Sequence, residues 1–545
     1  MHNLINLSKK YKFEIILILF SIIFSSWLMF STFSYANGNM LIASKAWSDF
    51  GSHIPLIRSF SLGNNFPPEY PLFSGQPIKY HFLFYTFAGI LERIGLPIDY
   101  ALNIPSIFGF SLLFIMIYIF AKKIFKSTAV AILSVIFFLF NGSLSFIKYF
   151  SEHPISQSTL LGILSNNSFP SFGPYDHTSI VSAFWNLNIY TNQRHLALSF
   201  ALSLFILYLF LNLETFSDKK KAILTSILIG ISLGISFILN MAVFLMTFVV
   251  LFSFFVFLKK ERLFIFITLV FSAIVSFPLY KYMNSIPSNY QFNFHPGYLV
   301  EQLNFVNFLN YWWMNLGFHL ILIPIGFFLA AKFNKKIFIS FFLLFVIGNL
   351  IQFSPEIAAN HKFFNYFLIV GSMFSAYALV ELWKRKDVLK PVVVILFFLL
   401  IFSGVIDFFP IFNDGKIALA DKSDPDVQWI TKNTPPNSIF LNTQFFMDKA
   451  SVAGRKIFLG WPYFAWSQGY DTLARDNLRK ELLNTTSLSF FCESVRDNAL
   501  NFVEINNSRE VLINKSFFEN NFERLYTNES VGYYIFNLKS CESSL

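Results

Sequence analysis

Asp49 and His53 stand four residues apart in the segment WSDFGSH, so on a helix both face the same way, one turn apart. A carboxylate so placed can take the proton of an attacking hydroxyl or amine, accept its hydrogen bond, or bind a divalent ion. Asp49 is the candidate base; a helix cap or a solvated residue is the alternative its type leaves open. Pro55 is expected to end or kink such a helix near Ile54, which puts the pair on the last turn, with Trp47, Phe50 and Ile54 as an apolar face toward lipid. The same stretch, 47–81, also carries Arg58, Glu69, Lys79 and His81 in a chain where charge is sparse. His53 and His81 are candidates to orient the acid or touch a substrate, and Arg58, Glu69 and Lys79 read as a solvated rim.

Two cations could serve the opposite need, a site for negative charge. In YTNQRHLALSF, Arg194 and His195 precede an apolar run, and a guanidinium there suits bidentate phosphate binding, unless it only snorkels. In SPEIAANHKFFNYF, Asn360, His361 and Lys362 stand at the start of another run, and Lys362 with Arg194 could neutralise a lipid phosphate. The pairs Asp176–His177 and Glu152–His153 have no spacing that identifies a metal site. No Walker A loop, GxSxG elbow, HExxH pair or dinucleotide fingerprint is present, which argues against nucleotide-driven chemistry.

The elements that must position these residues are dictated by composition. Of 545 residues, 55% are hydrophobic and 13% charged, with 75 Phe, so a water-soluble globule has nowhere to put its apolar side chains. The expected fold is a polytopic α-helical membrane protein with about eleven transmembrane helices, from apolar runs near 13–33, 99–120, 128–147, 196–213, 222–239, 241–258, 263–280, 315–331, 337–353, 363–383 and 390–409. Basic clusters at Lys9–Lys12, Lys122–Lys126, Lys219–Lys221, Lys259–Arg262, Lys332–Lys336 and Lys384–Lys386 then all fall on one side, so the net charge of +10 is a topology signal, not a nucleic-acid footprint. That side is cytoplasmic and holds the N-terminus. The long loops 34–98, 148–195 and 281–314 fall outside, and 81–97 is expected to lie along the outer leaflet. Residues 1–409 form the membrane domain. Residues 410–545 turn polar and read as a small extracytoplasmic α/β domain, with strand-like runs at 438–443, 455–461 and 532–538. Its two cysteines, Cys492 and Cys541, can pair if the compartment is oxidising.

The order of parts resembles the GT-C superfamily of integral-membrane glycosyltransferases. It is carried by SDFGSH, NFPPEYPLFSGQPIKYHF, LNIPSIFGFSLLFIMIYIFAKKIF, NQRHLA and NHKFFNYF, while ASVAGRKIFLGWPYFAWSQGYD and NFVEINNSREVL look like the outer domain of bacterial and archaeal members. The resemblance implies transfer of a sugar, as by a hexosyltransferase, from a polyprenyl-phosphate donor to a lipid, glycan or protein acceptor on the outer face of the cell membrane. Asp49 matches the first-loop acid, as base or acceptor-binding carboxylate. Arg194 and Lys362 fall where the donor phosphate is held, and His53, His81 and His195 are substrate-binding candidates. The first loop lacks a DxD, a departure that speaks against the metal dependence of oligosaccharyltransferases; no cofactor is expected. The rival readings are a transporter or lipid flippase, which predicts charged groups at mid-span and broken helices, and a non-catalytic scaffold.

Overall fold

The computed structural model describes residues 12–212, 218–287, 290–385, 387–506 and 511–542; Lys9, Lys10 and Lys386 of the basic clusters lie outside them. The chain enters as α1 (Lys12–Thr32) and turns through a hairpin of β1 (Phe33–Ala36) and β2 (Asn39–Ala43). It continues along α2 (Trp47–Ser61) and α3 (Leu83–Arg93) into α4 (Ile98–Phe125) and α5 (Thr128–Leu139). After a long connection come α6 (Arg194–Phe210), α7 (Lys219–Leu239), α8 (Met241–Phe257) and α9 (Arg262–Met283). The membrane part ends with α10 (Phe305–Leu316), α11 (His319–Leu329), α12 (Lys332–Leu350), α13 (His361–Arg385) and α14 (Lys390–Phe412).

Seven of the described helices are long and apolar enough to cross a bilayer, so this is a multi-pass membrane protein; α10 and α11, bent by 88°, make an eighth span if counted as one. Length alone thus supplies seven or eight spans against the eleven expected. The difference lies in α5, with 12 residues, and in α6 and α8, with 17 each, short of the roughly 20 that a bilayer core takes. α5 stops where Phe140 and Asn141 press on Gly404 of α14, so closely that a Cβ there would stand 2.4 Å from the Asn141 nitrogen. The bend between α10 and α11 turns on Gly317, at φ +51°, where a Cβ would meet the Gly142 carbonyl oxygen at 2.1 Å. α3 has 11 residues, roughly 16 Å of helix, and does not cross.

The ends of the first and last spans meet. β3 (Lys416–Ala420), just after α14, pairs antiparallel with β2, which pairs with β1. Asn37 and Gly38, both at positive φ, make the two-residue turn between β1 and β2, as a hairpin with right-handed strand twist requires. At the other end of α1, Glu14 pairs with Lys122 of α4 at 2.5 Å.

Beyond β3 the chain forms α15 (Pro425–Asn433), β4 (Ile439–Leu441), α16 (Lys449–Val452), β5 (Lys456–Ile457), α17 (Pro462–Ser467), β6 (Phe502–Ile505), β7 (Glu523–Asn528) and β8 (Tyr533–Asn537). Its five strands make one mixed sheet in the order β5-β4-β6-β8-β7. Side chains alternate across it, as the two-residue period of a strand dictates. Ile439, Leu441, Tyr534 and Phe536 face helices of the same segment. Phe440, Phe502, Tyr533 and Ile535 face the other way, into a core shared with Phe50, Ile54 and Ile57 of α2 and Tyr85 of α3. The tail is therefore half of the casing around α2, and not a body attached beside it.

Cys492, on the helix Leu488–Asp497, is bonded to Cys541, closing a loop of 49 residues. By loop-closure entropy such a link contributes up to about 4 kcal/mol. Replacing both cysteines by serine in the full chain is expected to lower the thermal midpoint by an amount equivalent to about 2–4 kcal/mol, read by scanning calorimetry in detergent; an unchanged midpoint contradicts it.

Candidate active site

α2 begins directly after a short turn at Ser44–Ala46 and runs to Ser61, straight through Pro55. The expected end near Ile54 does not occur. A proline removes only its own N–H bond to the turn before it, and the shared core holds the rest of the helix in place. Asp49 therefore lies on the first turn and not the last. Phe50 and Ile54 are fully buried, with the Phe50 ring 5.0 Å from that of Phe33, so the face expected to meet lipid packs into protein instead. Gly51 explains the middle of the motif. The Phe446 ring from the tail lies so close that a Cβ on Gly51 would come within 2.2 Å of it.

Asp49 sits enclosed by protein yet keeps accessible surface, the signature of a group in a crevice. Its carboxylate has no hydrogen bond or ion pair among the described residues. Burial pushes its carboxyl up to about 6, against the pull of the Lys362 ammonium. Lys362, on the first turn of α13, is only 8% exposed and likewise has no hydrogen-bond or ion-pair partner among the described residues. Its neighbours are committed: Asn360 donates to the carbonyls of Gly348 and Ile351, and His361 Nδ1 bonds Asn365 Oδ1 at 2.7 Å. An acid and an amine, each without a hydrogen-bond partner among the described residues, thus lie within electrostatic reach of one another.

Behind Asp49 lies a polar cluster centred on Tyr85 of α3. Its hydroxyl is 2.7 Å from His53 Nε2 and 2.9 Å from His195 Nδ1. A phenol has one proton, so it donates to one imidazole and accepts from the other, which fixes the two tautomers relative to one another. The His81 ring stacks 4.0 Å from that of His195 and 3.5 Å from that of Tyr80. Burial, helped by Arg194, lowers the His53 imidazole to about 3, and burial with His195 and Lys362 holds His81 well below its ordinary value. Both are neutral at physiological pH. His53, His81 and His195 are therefore gathered in one place, around the Tyr85 hydroxyl and the His195 ring. His81 Nε2 and His195 Nε2 remain buried without partners.

Arg194 does not join Lys362. It is 1% exposed, and its guanidinium is committed to the Thr191 carbonyl at 2.7 Å, Asn103 Oδ1 at 3.2 Å and the Met29 sulfur and carbonyl. The Phe50 ring lies 5.6 Å below it. It ties α6 to α1 and α4 and has no fork free for a phosphate. Arg58 is not a solvated rim residue either: it is 4% exposed, bridging Asp421 at 2.9 Å and Glu92 at 3.2 Å. Glu69 pairs with Lys456 at 2.7 Å, and Lys79 reaches the Pro287 carbonyl at 3.2 Å.

Tyr80 and Tyr85 are neighbours of the candidate site that residue type and spacing do not single out. Burial raises the Tyr80 phenol and the Asp49 charge raises it further, which places Tyr80 beside the acid. In a chain with 23 Tyr and 75 Phe nothing marks two tyrosines as special. Glu356 had a signal, as an acid six residues before Lys362 in the same short turn. Among the described residues no three of His, Cys, Asp and Glu gather closely enough to hold a metal ion.

A cavity of about 310 Å³ lies between α6, α7 and α8. Its wall is apolar apart from hydroxyls and an amide such as Ser199, Ser203, Thr247 and Asn240, and its lining residues Phe205 and Leu228 are 44% and 56% exposed on the outside of the bundle. Ser199, at one end, donates to the carbonyl of His195, so the cavity reaches the helix turn that carries the histidine cluster.

No family model and no curated protein matches this sequence. Among solved structures the chain is similar to the oligosaccharyltransferase of Archaeoglobus fulgidus in complex with Zn and sulfate, at 11% identity over 94% of this chain and 72% of that one, with a TM-score of 0.48. It is similar also to ArnT from Cupriavidus metallidurans bound to undecaprenyl phosphate, at 9% identity over 97% of this chain and 98% of that one, with a TM-score of 0.49. Likeness at this level decides no reaction, and the functional reading rests on the side chains themselves.

Proposed function

We propose that this chain is a membrane glycosyltransferase of the GT-C kind, moving a sugar from a polyprenyl-phosphate donor to an acceptor on the outer face of the membrane. The observation that carries the reading is the pair Asp49 and Lys362, both without hydrogen-bond partners among the described residues and within electrostatic reach of one another. Ionisable groups near the hydrocarbon are costly, and a carboxylate and an ammonium left without hydrogen bonds there are accounted for by what they bind.

In the reaction, Asp49 takes the proton of the acceptor hydroxyl as its oxygen attacks the anomeric carbon. The bond from that carbon to the donor phosphate breaks on the opposite face, and the polyprenyl phosphate leaves with the electron pair. Lys362 meets the charge that develops on the leaving oxygen. Tyr85, by bonding His53 and His195 together, keeps the wall behind Asp49 rigid and neutral. The lipid-facing cavity between α6 and α8 gives a donor's chain a lateral way in. The disulfide suits an oxidising compartment, which supports an extracytoplasmic tail and a cytoplasmic N-terminus.

The transporter reading has one feature in its favour, the sharp bend between α10 and α11. That bend is accounted for by the packing of Gly317 on Gly142, and Asp407, the buried acid on α14, is bonded by the Asn141 and Asn186 amides.

The test is incubation of the purified protein with a panel of polyprenyl-phosphate sugars and a lipid and glycan extract as the source of acceptor hydroxyls, following loss of the donor. Depletion of one donor is expected, and no depletion across the panel overturns the reading. Lys362→Met is expected to raise the KM for that donor and lower kcat/KM by about 10²-fold, the scale of losing one preorganised charge contact at a developing anion; an unchanged kcat/KM removes Lys362 from the phosphate site.

A further inference from the structure

Beside the start of α2 stands a wall of rings that the transfer chemistry does not use. α17 and the residue before it present Trp461 and Trp466, 37% and 42% exposed, on either side of Tyr463. The Tyr463 ring lies 5.8 Å from that of Trp461 and 6.0 Å from that of Trp466. Trp461 packs edge-on at 5.3 Å against Phe446, the ring that rests on Gly51 two residues after Asp49. The indole is therefore held over the start of α2.

Polar groups converge on the same wall. The Tyr463 hydroxyl donates to Glu356 Oε2 at 3.1 Å and lies 3.4 Å from the hydroxyl of Tyr175, whose ring is 55% exposed. The other Glu356 oxygen accepts the Ala358 N–H at 3.1 Å, and each oxygen has a lone pair to spare. Burial raises the Tyr175 phenol, and the charges of Glu356 and Asp49 both add to it, so Tyr175 lies within the field of both acids.

We propose that Trp461, Trp466, Tyr175, Tyr463 and Glu356 form a carbohydrate-binding subsite, so that the hydroxyl delivered to Asp49 is borne on a sugar. The assignment rests on the transferase reading for the role of Asp49. Its own basis is the combination of surfaces. Exposed indoles offer a flat, electron-rich face to the C–H face of a pyranose ring, while a carboxylate and two phenols beside them accept and donate to its hydroxyls. A lipid chain has no use for the carboxylate. Trp residues that merely anchor a protein at the headgroup level need neither the Tyr463–Glu356 bond nor a fixed station over α2.

The experiment is saturation-transfer NMR on the full chain in detergent micelles without any donor. The probes are the methyl glycosides of mannose, glucose, galactose and N-acetylglucosamine, with glycerol as the control. At least one glycoside is expected to receive saturation on its ring C–H protons, with a dissociation constant on the order of 1 mM. The signal should fall at least fivefold in Trp461→Ala and in Trp466→Ala. Where an alanine variant does not fold, Trp461→Phe and Glu356→Gln take its place, and each should weaken the signal. No glycoside exceeding the glycerol control, or a signal that survives the Trp461→Ala/Trp466→Ala double replacement, overturns the subsite. Either result leaves donor depletion by the wild-type protein, and so the transfer reaction, where it stood.

Discussion

Asp49→Asn is expected to lower kcat for sugar transfer by about 10²–10⁴-fold, the usual worth of a positioned general base, with little change in the KM for the donor. The substitution keeps the shape and one hydrogen-bond acceptor and removes only the basic oxygen, so the crevice stays as it is. A pH profile checks the same residue independently. Burial holds the Asp49 carboxyl near 6, well above an ordinary aspartate. The base acts only when deprotonated, so kcat/KM should be low below that value, rise tenfold per pH unit as it is approached, and level off above it. Lys362 draws the value down, so the rising limb should move to higher pH when Lys362 is replaced by Met. A variant Asp49→Asn that expresses normally and keeps full activity would sink the assignment.

Arg58→Met is expected to destabilise the protein by about 3–5 kcal/mol, the cost of leaving a buried ion pair half made. The Arg58 guanidinium gives one N–H to each oxygen of Asp421, at 3.2 and 2.9 Å, while its Nε stands 3.2 Å from Glu92. Tyr35 also donates to Asp421, at 3.0 Å. Without the arginine two carboxylates remain in a core with no cation between them. The arginine joins three elements, α2, α3 and the segment following β3, so activity should fall along with the thermal midpoint. Adding Asp421→Asn and Glu92→Gln to Arg58→Met removes the stranded charges and should recover a large part of the loss. A midpoint within 1 °C of wild type in the single variant contradicts the account.

Local pattern is the part of this structure that is legible in the sequence. Apolar runs near bilayer length are visible in any window, and most of them are helices in the fold. Asp49 stands out because an acid beside a span is costly and therefore uncommon. The other partner of each contact is not legible. Arg194 and Lys362 look alike on paper, each a cation at the start of an apolar run; only the fold decides that Asn103 and Met29 occupy the first while nothing occupies the second. Arg58 reads as solvated because its acids lie 34 and 363 residues away. The proline in α2 reads as a stop by the local rule, and tertiary packing overrides that rule. One local signal does bear on the site: Asn37-Gly38 between two strand-forming segments marks a hairpin, and the hairpin leads straight into the helix that carries Asp49.

The junction of β2 with β3, and of Arg58 with Asp421, has a consequence for the order of events during synthesis. α2 emerges early, but the strand beside it, the carboxylate that neutralises it and the Phe446 ring that rests on Gly51 are all made after the last span has been threaded. Until then α2 lacks the Phe440 and Phe446 rings that pack against it and the Asp421 carboxylate that bonds Arg58. The tail thus completes the casing of the helix that carries Asp49 only after the last span has been made.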